Sequence, residues 1–384
     1  MKNKTYLLFI ALLLLSSCGK HEQSERGRSD PGTEASADVF SGEALETEGD
    51  GQAGVLGMGA REASEEVCIK AGTFNIWAPA PRRNVMAGDP TVSDQRSWAN
   101  SYLAVADMIH YLDCDVIGLQ EVSNIVFHTT VTPPSNDYDG NLHTLNPLLP
   151  DYSWVIYNGG TTTYDKNFPD NTSNKALGTT DAILYKPSEL TLVSHGRRWL
   201  TGTRATAPKD DPDWDKIGTQ RTATWARFTH KASGRQFVFI VTHLDLPNAG
   251  NTDDPGMPQR RNASELIGWL APMVAPESLP SVIVGDMNTD AGEAYDILRS
   301  GIWADVYETM LADGTLSYMD RINKGTMNAN KNETGGLSSW RPDHILIHGF
   351  TPSLYKVGRE TFATADGSLH WPSDHFPIKV ILNF

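Results

Sequence analysis

The segment SVIVGDMNTD, at residues 281–290, places a carboxylate and an amide directly after an apolar run. Val282, Ile283 and Val284 predict a buried strand, because apolar residues on both faces suit a sheet that is covered on both sides. Asp286 and Asn288 follow at the carboxyl end of that strand, where α/β sheets usually bind ligands. Gly, Asp and Asn are also ordinary turn residues, so this segment alone does not distinguish a site from a turn.

Other predicted strands end or begin on polar residues of the same kinds. Apolar runs end at Asn75, Glu121 and His243, and polar segments also stand immediately before two later runs. In a mixed sheet, an antiparallel strand starts at the edge where its neighbours end. We therefore predict one site that gathers Asn75, Glu121, His243, Asp286, Asn288, Asp343, Asp374 and His375. We expect the His375 ring at a solvent-accessible edge.

The predicted cluster suits a hard cation together with acid–base groups. Carboxylate and amide oxygens are ligands for Mg²⁺, which keeps several waters that it shares with phosphate oxygens. A histidine beside a carboxylate suits proton transfer. The HExxH, GxSxG, Walker and Rossmann motifs do not occur in the sequence, so nothing supports a zinc protease, a serine hydrolase or those nucleotide sites.

The intervening segments predict the elements that position these residues. Apolar residues at helical spacing predict an amphipathic helix over residues 93–112 between the strands that end at Asn75 and Glu121. Such a crossover places two parallel strand ends side by side. We predict a second helix over residues 258–274.

Two hairpins are also predicted from the sequence. One pairs residues 181–185 with 190–199, and the other pairs 221–229 with 236–243.

The N-terminal segment has the plan of a signal peptide. Lys2 and Lys4 precede an apolar run that is too short to span a bilayer. Residues 1–18 resemble a bacterial lipoprotein signal, which implies that Cys18 is lipidated and anchors the chain to a membrane. An ordinary secretory signal is the alternative. We expect a cell-envelope protein, on the outer membrane or the cell surface.

Residues 19–66 predict a disordered acidic tether, with 4 Lys and Arg against 12 Asp and Glu. The whole chain has a net charge of −15. Residues 1–18 contribute +2 and residues 19–66 contribute −8, so residues 67–384, the predicted globular domain, carry −9. That charge disfavours tight non-specific binding to nucleic acid. Cys68 and Cys114 either form a disulfide in an oxidising compartment or remain two unpaired core residues.

Six segments occur in the order TFNIW, IGLQE, THLD, GDMN, RPDHI and SDHFPI. This ordered set resembles the endonuclease/exonuclease/phosphatase superfamily over residues 67–384. The resemblance implies an α/β fold, a four-layer sandwich of two mixed β-sheets flanked by helices. It also implies a metal-dependent phosphoesterase in which a water activated with Mg²⁺ (or Mn²⁺) attacks phosphorus in line.

The resemblance implies a role for each matching residue. Glu121 would be the primary metal ligand, with Asn75 beside it and Asp374 as a further ligand. Asp286 would orient the water, and Asn288 would hold a phosphate oxygen. Asp343 and Asp374 would orient the catalytic histidines His243 and His375. Many relatives carry a glutamate where this chain has Thr179, so the role of that glutamate is open unless Asp181 replaces it.

The substrate is less well defined by the sequence. Arg82, Arg83, Arg260 and Arg261 either meet substrate phosphates or are solvated surface residues. The resemblance implies that the substrate is a phosphate ester, either nucleic acid or a small phospho-metabolite. The alternatives are a non-catalytic surface-binding lipoprotein and a sphingomyelinase-like toxin that acts on host lipid. We expect a monomer.

Overall fold

The computed structural model describes residues 67–77, 98–122, 145–156, 180–200, 221–247, 254, 256–274, 279–328, 338–365 and 367–384. All of these belong to the unit Val67–Phe384. The predicted signal peptide and tether, together with Arg82, Arg83 and Thr179, lie outside the described residues. The predictions made for them therefore remain predictions.

Two mixed six-stranded sheets form the centre of the fold. Sheet A consists of β1 (Cys68–Asn75), β2 (Val116–Val122), β3 (Ser153–Ile156), β4 (Thr180–Tyr185), β11 (Thr351–Val357) and β14 (Ile378–Asn383). Sheet B consists of β5 (Leu190–Trp199), β6 (Thr222–His230), β7 (Gln236–His243), β8 (Ser281–Asp286), β9 (Ala304–Asp305) and β10 (Asp343–His348).

The strand orders are β11-β14-β1-β2-β4-β3 in sheet A and β5-β6-β7-β8-β10-β9 in sheet B. β1 pairs with β2 in parallel, and β7 pairs with β8 in parallel. A small ribbon of β12 (Phe362–Ala363) and β13 (Leu369–His370) lies outside both sheets.

Helices lie in the connections between strands. α1 (Trp98–Leu112) joins β1 to β2, and α2 (Met257–Val274) joins β7 to β8. The shorter helices of the described residues are α3 (Glu293–Leu298), α4 (Val306–Ala312) and α5 (Tyr318–Ile322), with a 3₁₀ turn at Asn146–Leu148. The two long helices confirm the predicted helices, and α1 confirms the predicted crossover between β1 and β2. Among the described residues, no helix is long and apolar enough to cross a membrane.

Alternation along β8 shows how the layers are held together. Val282 and Val284 belong to the core between the sheets, which also contains Ile69 of β1 and Phe239 of β7. Ile283 points to the other face and packs in a cluster with residues of α2. A side chain of this size contributes about 1.5–3 kcal/mol when it is fully buried. The result is the predicted four-layer sandwich.

The close approach of the two sheets requires a glycine in β2. A Cβ atom on Gly118 would lie 2.4 Å from Val284 and 2.8 Å from Val241 of sheet B. Gly118 therefore lets the backbone of β2 lie against the side chains of the facing sheet.

One prediction about local pairing does not match the structure, and one open alternative is decided. β4 and β5 were expected to form a hairpin, but β4 pairs with β2 and β3 while β5 pairs with β6. The short turn after β4 carries the chain from one sheet to the other, which strand periodicity cannot distinguish from a hairpin. Cys114 is a free, buried thiol, so it does not form the disulfide with Cys68 that the sequence left open.

Candidate active site

Strand pairing brings the predicted polar residues to one edge of the sandwich. His243 ends β7 directly beside Asp286 at the end of β8, and Asp343 begins β10 directly opposite Asp286. Gly285 makes this approach possible, because a Cβ atom there would lie 1.9 Å from the Thr242 carbonyl oxygen. An imidazole and two carboxyl groups therefore lie side by side at neighbouring strand ends of sheet B.

Sheet A contributes Asn75 and Glu121. The register pairs Asn75 with Gln120, so Glu121 lies one position beyond the level of Asn75. Glu121 has a φ of +59° at an irregularity in the pairing of β2 with β4, a conformation that non-glycine residues seldom adopt. Its Oε1 accepts a hydrogen bond from Asn75 Nδ2 at 3.2 Å.

Asp286 lies at the centre of the cluster. Its Oδ2 atom is 3.0 Å from Asn75 Nδ2, 3.3 Å from His243 Nε2 and 3.6 Å from His375 Nε2. Its Oδ1 atom accepts the backbone N–H of Asn288 at 2.9 Å. One buried carboxylate thus contacts groups from both sheets and from the turn before β14.

A carboxylate and a hydroxyl hold the His375 ring in place. His375 Nδ1 lies 2.8 Å from Asp343 Oδ2, and Thr326 donates its hydroxyl to the same oxygen at 2.7 Å. The expected solvent-accessible position of His375 is wrong, because the residue is only 6% exposed. Met327 forms an isolated antiparallel β-bridge with His375.

The His243 ring faces an amide and a carboxylate through the same nitrogen. Asn288 Nδ2 donates to the Leu244 carbonyl at 2.9 Å and lies 3.1 Å from His243 Nε2. Asp286 Oδ2 lies 3.3 Å from that Nε2 atom. No described residue forms a hydrogen bond with His243 Nδ1, so the buried Asp181 carboxylate does not orient this ring.

The two histidines differ in their electrostatic surroundings. Burial lowers the pKa of His375, but the Asp343 and Asp286 carboxylates outweigh it and hold that pKa well above its ordinary value. Burial and the positive charges of Arg221 and His375 hold the pKa of His243 well below its ordinary value. A pair of titratable groups shifted in opposite directions is typical of acid–base sites.

Asp286 and Asp181 are carboxyl groups whose burial makes ionisation unfavourable. Burial raises the pKa of Asp286, and the nearby Asp343 carboxylate adds to the rise against the lowering effect of His375. Burial also raises the pKa of Asp181 well above its ordinary value. Buried carboxylates that resist ionisation gain most from a cation or a bound proton nearby.

The described residues fit a divalent cation. Ligand atoms of Asp286, Asp343 and His375 lie within 4.8 Å of one another. The buried Oδ1 atom of Asp343 has no hydrogen-bond partner among the described residues. This oxygen is an available ligand in a cluster rich in carboxylates, the donor type that Mg²⁺ prefers.

Asp374 and the predicted arginines take less central positions. Asp374 is buried, its Oδ1 atom lies 3.5 Å from the Ser373 hydroxyl, and its charge helps to raise the pKa of His375. The carboxylate that holds the His375 ring is Asp343. Arg260 forms ion pairs with Asp254 and Glu293. Metal binding by Asn75, Glu121 and Asp374 remains a prediction.

The sequence analysis missed three supporting residues. Thr326 holds Asp343 from a loop, and Gln259 of α2 donates to the carbonyls of Met287 and Asn288 at 3.1 and 2.9 Å. His344 Nε2 lies 2.7 Å from the Thr289 carbonyl. His344 lies in the segment RPDHI next to Asp343, so the sequence could have indicated it as a site residue. Nothing in the sequence distinguishes Thr326 or Gln259 from other polar residues.

This fold and this cluster define a class of α/β sandwich proteins with a carboxylate–histidine site at the edge of two sheets. The profile of the Endonuclease/Exonuclease/phosphatase family matches residues 72–375. The chain belongs to that family. No curated protein matches the sequence significantly.

Solved structures of similar fold come from several sources. A mannosyl-6-phosphatase of Bacteroides thetaiotaomicron is 23% identical, with a TM-score of 0.60 over 82% of this chain and 100% of its own. The human nocturnin catalytic domain is 19% identical, with a TM-score of 0.53 over 83% and 94%. D. rerio TDP2, complexed with a single-strand DNA product, is 15% identical, with a TM-score of 0.51 over 83% and 99%. At these identities the likeness establishes the fold alone.

Proposed function

We propose that the protein is a divalent-metal-dependent phosphoester hydrolase that attacks phosphorus in line with an activated water. The arrangement at Asp286 Oδ2 carries this proposal, because Asn75 Nδ2, His243 Nε2 and His375 Nε2 all lie within 3.6 Å of that atom. Groups that converge in this way on a buried point suit a phosphoryl group whose charge develops during reaction.

Each residue has a distinct task in this proposal. Asp286 orients the attacking water, and Asn288 contacts a phosphoryl oxygen. Asp343 holds His375 through Nδ1, which leaves His375 Nε2 free to donate toward the phosphoryl group. His243 Nε2 lies 3.3 Å from the same Asp286 oxygen, and the pKa values of the two rings are shifted in opposite directions, which suits one ring to accept a proton and the other to donate one.

The proposed cation is Mg²⁺ or Mn²⁺. Glu121 and Asn75 would hold it together with Asp374, as the family resemblance implies, and the cluster of Asp286, Asp343 and His375 is the second candidate set. When bound, such a cation lowers the pKa of a bound water and neutralises charge on phosphoryl oxygens. Comparing Glu121→Gln with Asp343→Asn in metal titrations distinguishes the two sets.

A panel of phosphate esters tests the proposal. The purified protein is assayed with bis-p-nitrophenyl phosphate, p-nitrophenyl phosphate, plasmid DNA, inositol phosphates and sphingomyelin, each with Mg²⁺, with Mn²⁺ and with EDTA. We expect hydrolysis of at least one ester that EDTA abolishes and added cation restores. Failure on every ester with both cations would favour a non-catalytic binding protein.

We further propose a small phosphoester as the substrate. The net charge of −9 for residues 67–384 supports this choice, because a polyanion would be repelled at ordinary salt. Faster hydrolysis of plasmid DNA than of the small esters in the same panel would contradict it.

We also propose that Cys18 anchors the protein to the cell envelope. The lipoprotein-like plan of residues 1–18 supports this placement. Cys18→Ser should release the protein from the membrane fraction or block its maturation. Normal processing and unchanged partitioning of that variant would contradict anchoring.

A further inference from the structure

A pocket of about 610 Å³ opens beside Asn288 at the edge of the candidate active site. Its lining includes Gln259, Thr289, Asp290 and Trp340. Ligand pockets commonly enclose about 300–1,000 Å³, so this one has room for more than a phosphate ion. Asn288 both lines the pocket and donates its backbone N–H to Asp286, so the pocket adjoins the position proposed for the phosphoryl group.

The charge of the lining disfavours a second phosphate. Arg260 contributes the positive charge, but its Nε atom lies 3.1 Å from Glu293 and its Nη2 atom pairs with Asp254. Asp290 and Glu293 both line the pocket, so the described side chains that face it carry more negative than positive charge. Nucleotide chains and bisphosphates would meet repulsion there.

The remaining surface combines one aromatic ring with hydrogen-bonding groups. Trp340 is partly exposed, and its backbone is fixed because Trp340 N donates to Ser338 Oγ at 3.0 Å while its carbonyl accepts from Thr326 N at 3.1 Å. The next residue, Arg341, donates its N–H to Asp290 Oδ2 at 3.4 Å. The indole and the carboxylate are therefore held close together by the backbone.

A flat apolar ring beside a carboxylate matches the chemistry of a sugar. The apolar C–H face of a sugar ring packs on an indole, and its hydroxyl groups donate to carboxylate oxygens, where charge strengthens the hydrogen bond. A neutral sugar also meets no repulsion from Asp290 or Glu293. A purine or pyrimidine base could stack on the Trp340 indole, but the phosphates of a nucleic acid would be repelled by the acidic side chains of the lining.

We propose that this pocket binds the sugar moiety of a sugar-phosphate monoester whose phosphoryl group lies at Asp286. This inference rests on the proposed phosphoester hydrolase and names its substrate class.

Kinetics with matched substrates test the inference. Wild type, Trp340→Ala and Asp290→Asn are assayed with glucose 6-phosphate, mannose 6-phosphate, AMP and ethyl phosphate. Tyr318→Ala and Asp313→Asn serve as controls, since both residues are exposed and do not line the pocket. We expect Trp340→Ala to raise KM for at least one hexose phosphate about tenfold. KM and kcat for ethyl phosphate should stay close to the wild-type values, and the controls should behave as wild type.

Two kinetic outcomes would overturn the inference. Equal losses on ethyl phosphate and on hexose phosphates would mean that Trp340 supports the fold. A lower KM for AMP than for either hexose phosphate, lost in Trp340→Ala, would assign the pocket to a base.

Direct binding separates this inference from the proposed function. If no ester is hydrolysed with any cation, the proposed function fails while the pocket remains testable. Saturation-transfer difference NMR with free glucose and mannose should then show ring-proton signals with wild type that disappear with Trp340→Ala. Absence of these signals with wild type would overturn the sugar pocket itself.

Discussion

At the scale of single residues, the site depends on a turn in an unusual conformation. Asn288 has a φ of +51°, which costs a non-glycine residue of order 1 kcal/mol or more unless its surroundings compensate. Gln259 compensates by donating to the Met287 and Asn288 carbonyls, which lie on either side of the Asn288 Cα atom. These two hydrogen bonds keep the Asn288 side-chain amide beside the His243 ring.

Replacing Gln259 should therefore disturb catalysis more than folding. Gln259→Met keeps the length of the side chain and removes both donors. We expect kcat to fall roughly 10- to 100-fold through misplacement of Asn288, with a smaller change in KM. Gln236→Met is the matched control, because Gln236 bonds Thr229 and Arg227 on a strand pair away from the site. Equal effects of the two variants on kcat would contradict this positioning role.

The sequence predicted the residues of the site better than their supports. Asp286, His243 and Asp343 could be predicted because each ends or begins an apolar strand and strand ends meet at one edge. Thr326 and Gln259 could not, because a loop threonine and a helix glutamine carry no local signal of the carbonyl or carboxylate they will bond. The backbone around His375 pairs with Thr326, Met327 and Asn328, a segment distant in sequence, and no periodicity reveals that contact.

At the scale of elements, a buried ion pair joins β9, β10 and α4 behind the site. Arg341 Nη1 lies 3.1 Å from Asp305 Oδ2, and His344 Nδ1 lies 2.6 Å from the same oxygen. Burial alone would raise the pKa of Asp305, but Arg341 and His344 hold it well below its ordinary value. Asp305 also caps α4 by accepting the backbone N–H of Glu308.

Removing the Asp305 charge should destabilise the protein in a pH-dependent way. Asp305→Asn removes the buried anion of Arg341 and leaves only the half-exposed Glu308 carboxylate beside it, and loss of a buried charge partner typically costs about 3 kcal/mol. Because the folded-state pKa is lowered, this stability is present at neutral pH and declines as the pH falls below about 4. Thermal unfolding of both proteins at pH 7 and pH 3.5 should show a large gap that narrows in acid.

A control variant checks that this effect comes from burial. Asp296 pairs with Arg299 on the surface of α3 and its side chain is largely exposed. Asp296→Asn should change the free energy of unfolding by less than about 1 kcal/mol at either pH. A constant gap between wild type and Asp305→Asn at both pH values would contradict the role given to the ion pair.

Element boundaries and types were predicted well where periodicity was strong. The strands that end at Asn75 and His243 and the helices α1 and α2 match the expected positions. The pairing of β4 with β2 and of β5 with β6 was missed, because partner choice depends on long-range packing between sheets. Local pattern carries no information on which of two sheets a strand joins.

At the scale of the whole molecule, the sandwich keeps Cys114 away from solvent. Burial raises the pKa of this free thiol to about 12, so very little thiolate is present near neutral pH. We expect iodoacetamide to leave Cys114 unmodified in the native protein at pH 8 and to alkylate it in denaturant. Peptide mapping by mass spectrometry measures this, and rapid native alkylation would mean that the α1 side of sheet A opens locally.

The central claim is that both sheets assemble a phosphoester-hydrolysing site around Asp286. The most direct test is turnover of Asp286→Asn on the best ester from the panel, measured with its melting temperature on the same preparation. The variant has nearly the same shape but lacks the charge that we propose orients the water. The account predicts a kcat at least about 10³-fold lower with a melting temperature within a few degrees of wild type. Wild-type turnover in a normally folded Asp286→Asn protein would contradict the account.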